Sequence, residues 1–251
     1  MNKLIGFLAI VLSFHIPTCH AADDWLKDEV LKQLSELRQD NAALHSEVNA
    51  LKKQLEALAS NKGDGDNKKL ADVVGGNATL GKADAKIIVA EFTDYECPFC
   101  RKFGTKSFPE LRKEYIDTGK VRYVVRDYPL PFHGQARQAA IAARCAGEQK
   151  AYWEMKQGLF EHQDRLGKEL FAEQAQALKL DGGRFQKCLQ EPRIGEAIDR
   201  DVAYANSIGV QATPTFLIGR VEGNTVKDIK AISGAMAFKD FAQQIETMLK
   251  R

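Results

Sequence analysis

The stretch Ile-Ile-Val-Ala-Glu-Phe-Thr-Asp-Tyr-Glu-Cys-Pro-Phe-Cys, residues 87–100, decides the fold of this chain. It begins with Ile87–Phe92, an apolar, β-branched run that has the length of a buried strand. Cys97 and Cys100 follow closely, and the segment 101–118 is predicted to be helical. The sequence therefore predicts a strand, a Cys-Pro-Phe-Cys turn and a helix in immediate succession.

The Cys-Pro-Phe-Cys turn has the features of a redox-active dithiol. Cys97 is predicted to lie at the N-terminus of the helix, where unpaired N–H groups and the helix dipole stabilise a thiolate. Pro98 then occupies the first helical position, where a missing N–H costs nothing. Cys100 lies one turn later and can close a disulfide with Cys97. We therefore expect Cys97 to be the nucleophile, with a lowered pKa, and Cys100 to be the resolving thiol.

A permanent structural disulfide and half of a metal site are the alternative uses of this cysteine pair. A zinc site would need a second Cys-x-x-Cys pair or a Cys/His pair at ligand spacing, and the sequence has neither. His133 and His162 stand alone in the sequence and are expected to be surface or packing histidines. No metal and no cofactor are predicted.

The order of the predicted elements indicates an α/β domain. Further strands are predicted at 121–126, 215–218 and 225–232, and the last helix at 238–249. A long helical segment at about 132–208 separates the second strand from the third. This order predicts a thioredoxin-like fold with a helical insertion.

The N-terminus has the pattern of a secretory signal. Lys3 provides a positive start, an apolar run covers 4–14, and small residues stand at Ala21 and Ala22. The run is shorter than the roughly 20 residues that span a bilayer. We predict a signal peptide over 1–21 and a periplasmic or otherwise exported protein that is soluble after cleavage. A membrane anchor and a lipoprotein are the alternatives.

Residues 22–60 are predicted to form a coiled-coil oligomerisation helix. With Leu34 at heptad position a, almost all a and d positions are apolar, and the segment contains no Pro or Gly. The predicted interface residues are Leu34, Leu37, Asn41, Leu44, Val48, Leu51 and Leu55. An Asn at a buried a position costs stability but sets the register, which favours a parallel homodimer over a trimer. A single amphipathic helix folded back on the main domain is the alternative.

Residues 61–70 are rich in Gly, Asn and charge, which predicts a flexible linker before a domain that covers 71–251. The 36 basic and 34 acidic residues of the chain leave a formal charge of only +2. This balance gives no electrostatic footprint for a polyanion, so no nucleic-acid partner is predicted.

Several motifs together resemble the DsbA-type branch of the thioredoxin superfamily over residues 71–251. They are Val-Ala-Glu-Phe-Thr-Asp-Tyr-Glu-Cys-Pro-Phe-Cys at 89–100, Phe-His-Gly-Gln-Ala at 132–136, Ala-Ala-Arg-Cys-Ala at 142–146 and Gly-Val-Gln-Ala-Thr-Pro-Thr-Phe at 209–216. With its N-terminal dimerisation arm, the chain also resembles the exported disulfide isomerases DsbC and DsbG and the ScsC and Com-type relatives of DsbA.

The resemblance implies roles for individual residues. Cys97 matches the attacking cysteine and Cys100 the resolving one. Thr213-Pro214 matches a loop whose cis proline faces the pair, and a threonine at this place is typical of the isomerases. Glu91 matches a buried acid that could relay a proton to or from Cys100. An exposed carboxylate at the strand end is the alternative for Glu91.

Phe99 departs from the histidine that strongly oxidising members carry between the two cysteines. The resemblance therefore implies a less oxidising potential, because Phe99 lacks that stabilisation of the Cys97 thiolate.

Cys145 and Cys188 both lie in the helical insertion and are expected to form a structural disulfide. Their bond would close a loop of about 44 residues and stabilise the fold by about 4 kcal/mol in the chain-entropy model. A second redox pair is the alternative, although neither cysteine has a Cys-x-x-Cys context.

The leading functional hypothesis is a dimeric exported thiol–disulfide isomerase that also has some oxidase activity. Its expected partners are exported client proteins with cysteines and a membrane redox partner of DsbD or DsbB type. A dithiol oxidase that uses the arm only for assembly is the second hypothesis. A non-catalytic metal-binding or adhesive surface protein that keeps the fold is the third.

Overall fold

The computed structural model of the protein describes residues 20–60, 68–75 and 78–250, and within the first of these ranges it describes the side chains of 28–52. The chain divides into two compact units, Met1–Gly63 and Asp64–Arg251. Residues 1–19 of the predicted signal peptide lie outside the described part of the chain.

The first unit contains one long helix, α1 (His20–Ser60). Its Ala, Leu, Glu, Lys and Gln residues favour a helix over the whole length. The large apolar side chains at the predicted a and d positions are exposed in the single subunit: Val30, Leu34, Leu37, Leu44, Val48 and Leu51. Asn41 is exposed as well, and the Leu55 side chain lies outside the described residues. The coiled coil and its number of chains therefore stay predictions.

Within the described ranges, no helix combines the length and the apolar character that crossing a bilayer requires.

The second unit is built on a six-stranded sheet. Its strands are β1 (Lys68–Lys69), β2 (Thr79–Leu80), β3 (Ile87–Thr93), β4 (Val121–Asp127), β5 (Thr215–Glu222) and β6 (Thr225–Ser233). Their order is β1-β6-β5-β3-β4-β2, with β3 and β4 parallel and the other neighbours antiparallel. The apolar strand β3 lies inside the sheet, and all of its residues are buried.

Side chains of β3 alternate between two apolar clusters on opposite faces of the sheet. Ile87 and Val89 belong to the larger cluster, whereas Ile88 and Phe92 belong to the smaller one. By the same alternation, Glu91 faces the larger cluster, which also contains both cysteines of the Cys-Pro-Phe-Cys turn. The strand thus brings a carboxylate into the core behind these cysteines.

The helices of the second unit are α2 (Leu70–Val74), α3 (Pro98–Lys102), α4 (Phe108–Leu111), α5 (Ala136–Gly147), α6 (Tyr152–Glu161), α7 (Lys168–Ala177), α8 (Gly182–Leu189), α9 (Pro192–Ser207) and α10 (Phe238–Leu249). α3 and α4 belong to one helical stretch with π turns at Phe103–Ser107 and Arg112–Ile116. The first π turn precedes Pro109, whose missing N–H interrupts the regular ladder. Helices α5 to α9 form the insertion between β4 and β5, and α10 packs against β5 and α4.

The predicted fold class, an α/β domain with a helical insertion after an N-terminal helix, is confirmed. The start of the second unit differs from the prediction. Lys68 and Lys69 pair with Val226 and Thr225 of β6, so the predicted linker 61–70 ends three residues too late. A two-residue edge strand needs only main-chain hydrogen bonds, and lysines are common on such edges, so its sequence looks like a linker. Residues 61–67 lie outside the described part.

Candidate active site

The site lies where β3 ends and α3 begins. Cys97 is the N-cap residue of α3 with an extended backbone, and Pro98 stands in the first turn, where its missing N–H has no helical partner to lose. Cys97 and Cys100 are free thiols with 4% and 0% of their surfaces exposed. Of the two, Cys97 keeps some contact with solvent.

The two thiols differ sharply in acidity. A hydrogen bond from the Cys100 thiol is the main reason why the pKa of Cys97 is lowered to about 5, although burial opposes this shift. Thr213 and the N–H groups of Cys100 and Phe99 act in the same direction as that hydrogen bond. Burial raises the pKa of Cys100 well above its ordinary value, and Cys97 and the Glu91 charge raise it further. At neutral pH, Cys97 is therefore a thiolate and Cys100 a thiol.

The loop before β5 faces this pair across the site. The Thr213–Pro214 peptide bond is cis, and the Cys97 thiol, when protonated, donates a hydrogen bond to the Thr213 carbonyl oxygen at 3.2 Å. Thr213 itself is almost completely buried. This is the placement that the family resemblance implied for both residues, and their role toward a client protein is a proposal.

Asp94 is a buried carboxylate that organises the turn before Cys97. Its Oδ1 accepts hydrogen bonds from the N–H of Glu96 at 2.7 Å and of Cys97 at 3.2 Å. Its Oδ2 accepts one from the N–H of Leu130 at 2.7 Å and lies 2.8 Å from Nδ1 of His133. His133, predicted as a surface or packing histidine, is partly buried, and its ring contacts the same carboxylate that accepts the hydrogen bond from the N–H of Cys97.

The helical insertion supplies partners for the same turn. The Glu96 carboxylate accepts a hydrogen bond from the N–H of Ala136 at 2.7 Å, at the N-terminus of α5, where a negative charge is favoured. Gln163 donates from Nε2 to the carbonyl oxygens of Tyr95 at 2.7 Å and Cys97 at 3.0 Å. These side chains satisfy backbone groups that the turn leaves outside the sheet and the helix.

Glu91 is fully buried behind the cysteine pair, so the alternative of an exposed carboxylate is wrong. Its Oε2 accepts hydrogen bonds from the Tyr123 hydroxyl and from Nζ of Lys156, both at 2.6 Å. Its Oε1 is buried and has no hydrogen-bond partner among the described residues. Since the Glu91 charge raises the pKa of Cys100, the carboxylate acts electrostatically on the Cys100 thiol.

Cys145 of α5 and Cys188 of α8 form a disulfide with a Cα–Cα distance of 5.7 Å. Both residues are buried in the insertion. Among the described residues, no group of three or more His, Cys, Asp or Glu side chains is placed to hold a metal ion.

Residues 74–247 match the profile of a family described as thioredoxin. The chain belongs to the thioredoxin family. A crystal structure of alpha-DsbA1 from Wolbachia pipientis superposes with a TM-score of 0.61 at 27% sequence identity, over 69% of this chain and 90% of that one. The resemblance to the DsbA-type branch of the thioredoxin superfamily is thus confirmed.

The chain matches different shares of the lengths of two curated relatives. Disulfide bond formation protein D of Bacillus subtilis is 28% identical over 184 residues, which are 70% of this chain and 78% of that protein. The Na(+)/H(+) antiporter NhaA 3 of Salinispora tropica is 37% identical over 157 residues, which are 62% of this chain. The chain spans about a quarter of the length of that antiporter, since the match covers 24% of it.

Within this thioredoxin-family site, the structure brings together Cys97, Cys100, Pro98, Thr213 and Pro214 at one end of the sheet. Phe99 is 59% exposed beside them. The sequence interpretation missed the residues that form hydrogen bonds within the active-site turn or with the buried carboxylate of Glu91: Asp94, His133, Gln163, Tyr123 and Lys156. A signal existed for Asp94 and His133, since both lie in motifs that carried the resemblance. No local pattern pointed to Gln163 or Lys156.

Proposed function

We propose that this protein is an exported thiol–disulfide oxidoreductase that acts on client proteins with cysteines. The observation that carries the proposal is the opposite shift of two neighbouring thiols, since the pKa of Cys97 is lowered to about 5 and that of Cys100 is raised. A permanent structural disulfide does not require thiols of different pKa, and metal ligation would need both groups as thiolates. The similarity to disulfide bond formation protein D supports the same chemistry.

The first step is an attack by the Cys97 thiolate on one sulfur of a client disulfide. A bond forms between the Cys97 sulfur and that client sulfur, the client S–S bond breaks, and the second client sulfur leaves as a thiolate. Because its pKa is low, Cys97 is also a good leaving group, so the mixed disulfide is short-lived.

The mixed disulfide then has two fates. A client thiolate can attack the client sulfur and expel the Cys97 thiolate, which rearranges the client and leaves the enzyme unchanged. Alternatively, Cys100 loses its proton, attacks the Cys97 sulfur and expels the client thiolate, so that the client is reduced and the pair is oxidised. We propose that Oε1 of Glu91, which has no hydrogen-bond partner among the described residues, accepts the proton of Cys100.

Isomerisation is the main activity that we propose, with a homodimer as the working form and a trimer as the alternative. Thr213 before the cis proline is the residue typical of isomerases. The apolar face of α1, exposed in the single subunit, supports self-association through residues such as Leu37 and Leu44. Several active sites in one assembly would raise the effective concentration at a single misfolded client. A membrane partner of DsbD type would keep the pair reduced.

A dithiol oxidase is the second candidate, and the likeness to disulfide bond formation protein D and to alpha-DsbA1 supports it. An oxidase needs the Cys97–Cys100 pair oxidised at rest, with reoxidation by a membrane partner of DsbB type. Rapid acid quenching of cells followed by alkylation separates the two candidates. A reduced resting pair supports the isomerase, whereas an oxidised resting pair supports the oxidase.

The basic chemistry is tested by disulfide exchange with a fluorescent peptide disulfide. We expect Cys97→Ser to abolish exchange and Cys100→Ala to accumulate a mixed disulfide with the peptide, because the resolving thiol is absent. A wild type that accelerates exchange no more than Cys97→Ser does would contradict the proposal and favour the non-catalytic surface protein.

The isomerase function is tested by refolding of scrambled ribonuclease with the full-length chain. The double variant Leu37→Glu/Leu44→Glu places charges on the predicted interface of α1 and leaves the second unit unchanged. We expect it to reshuffle disulfides more slowly than the wild type, with peptide exchange intact. Equal reshuffling by both proteins would show that the arm has no part in isomerisation.

A further inference from the structure

A groove with a volume of about 470 Å³ opens beside the Cys-Pro-Phe-Cys turn. It lies between the helical stretch that begins at Pro98 and the short segment that follows α6. Its walls include Pro98, Arg101, Lys102, Lys106, Glu161 and Gln163. The mechanism described above uses neither this groove nor its cations.

Both walls of the groove are hydrogen-bonded to the main chain of Cys97. The N–H of Arg101 donates to the carbonyl oxygen of Cys97 at 3.1 Å. From the opposite wall, Gln163 donates to the same carbonyl oxygen at 3.0 Å. A polypeptide joined to Cys97 by a mixed disulfide therefore has the groove within reach of its next few residues.

The groove carries an excess of positive charge. Arg101, Lys102 and Lys106 are exposed, and they form no ion pair with any described residue. Glu161 is the acidic residue of the lining, and its carboxylate accepts a hydrogen bond from the Gln157 side chain at 2.8 Å. The groove is thus lined by three cations that have no ion-pair partner in the described part of the chain and by one carboxylate that is already hydrogen-bonded.

Stabilisation of the helix or of the Cys97 thiolate does not explain why these cations are present. They stand well before the C-terminal turn of the helical stretch, which extends to Ile116 and is where the helix dipole would stabilise a cation. The thiolate of Cys97 is stabilised by Cys100, Thr213 and neighbouring N–H groups rather than by these side chains. Their charge is therefore available to a partner.

We infer that this groove binds an acidic segment of the client polypeptide that lies next to the reacting client cysteine. The inference deepens the proposed function and rests on it. Arg101 and Lys106 are separated by about 7.5 Å along the helix, which an extended chain covers in about two to three residues. Acidic residues within the first few positions beside the client cysteine fit this spacing.

The test measures rate constants of disulfide exchange for three peptide disulfides that differ only beside the cysteine, with two Asp, two Ser or two Lys residues. At low salt we expect the Asp peptide to react about fivefold faster than the Ser peptide, and the Lys peptide more slowly than both. The difference should disappear at about 1 M salt, where the Debye length falls to about 3 Å.

The variant Arg101→Gln/Lys102→Gln/Lys106→Gln should remove the preference for the Asp peptide and leave the Ser peptide rate unchanged. The matched control is Lys187→Gln/Lys239→Gln/Lys250→Gln, which removes the same charge from exposed positions that do not line the groove. We expect this control to keep the preference.

Three results would overturn the inference: equal rates for the Asp and Ser peptides with the wild-type protein, a preference that survives in the groove variant, and an equal loss of preference in the control. The comparison among peptides on the wild-type protein needs no variant to fold. Failure of the proposed function is distinguishable, because then none of the three peptides would exchange at all.

Discussion

At the scale of single residues, the acidity of Cys97 depends mainly on one neighbouring donor. The hydrogen bond from the Cys100 thiol is the largest cause of the lowered pKa of Cys97. We predict that Cys100→Ala raises this pKa, whereas Cys100→Ser, which keeps a hydroxyl donor, leaves it nearer to about 5. The pH dependence of alkylation by iodoacetamide measures it. Equal pKa values in the two variants would contradict the assigned cause.

The same pKa shift makes the stability of the reduced protein depend on pH. The pKa of Cys97 is lowered from 9.0 to about 5. Between these values the unfolded state keeps a proton that the folded state has released, so folding is favoured as the pH rises. We predict that the stability of the reduced wild type, relative to Cys97→Ser, increases from pH 5 to pH 8 and is lost as the pH falls through about 5. Urea unfolding at several pH values measures this difference, and an opposite trend would refute it.

His133 is a positioning residue that acts on Cys97 through Asp94. Removing its ring should leave a buried carboxylate with one donor fewer, so His133→Ala should lose about 1–2 kcal/mol of stability and slow disulfide exchange. His133→Asn keeps a donor near the Nδ1 position and should restore most of the rate. The control is His162→Ala, whose ring contacts the Gly158 carbonyl oxygen outside the turn. A loss of stability without any change in exchange rate would limit His133 to a structural role.

At the scale of elements, a buried ion pair links helix α6 of the insertion to strand β3 of the sheet. Nζ of Lys156 in α6 lies 2.6 Å from Oε2 of Glu91 in β3, and both side chains are almost completely buried. Lys156→Met should destabilise the fold by about 3–5 kcal/mol, because it leaves a charge without its partner. Glu91→Gln/Lys156→Met should cost less than the sum of the single changes, as a double-mutant cycle in urea measures. Strict additivity would mean that the pair is not coupled.

Local patterns were sufficient for the central strands and the last helix, but insufficient for the short elements β1, β2 and α2 and for the contacts between elements. The predicted last helix, 238–249, coincides with α10, and the predicted strand 87–92 falls one residue short of β3. Apolar periodicity and the Cys-Pro helix start are properties of neighbouring residues, so one sequence reveals them. The Asp94–His133 contact joins residues 39 positions apart, and the Glu91–Lys156 pair joins residues 65 apart. Nothing local indicates which charged side chains meet across such distances.

A second buried cluster illustrates the same limit. Arg126 pairs with Asp201 at 2.7 Å, and Arg144 pairs with Asp127 at 2.6 Å and with Asp201 at 2.5 Å. Burial raises the pKa of Asp127 to about 6 in spite of the Arg144 charge. In the sequence these four residues look like ordinary surface charges. In the fold they join β4 to α5 and α9, and so fix the insertion that supplies Gln163 to the active-site turn.

At the scale of the whole molecule, α1 is a helix with an exposed apolar face. An isolated helix gains little stability from its own hydrogen bonds, so burial of an apolar stripe usually provides the rest. Leu34, Leu37 and Leu44 expose 45%, 64% and 60% of their surfaces in the single subunit. Pairing of α1 with a second copy is the arrangement that the heptad pattern predicts for these side chains.

The exposed apolar face of α1 therefore predicts that the protein self-associates. We expect the full-length protein to sediment as a homodimer and Leu37→Glu/Leu44→Glu as a single subunit, because two charges per chain would be buried at the interface. Asn41→Leu should make the assembly more stable and add species with more chains, since a buried Asn at position a restricts register and chain number at a cost in stability. Sedimentation velocity over a range of concentrations measures all three. A wild type that sediments as one subunit at every concentration would remove the basis for shared active sites, while leaving the dithiol chemistry of Cys97 and Cys100 unaffected.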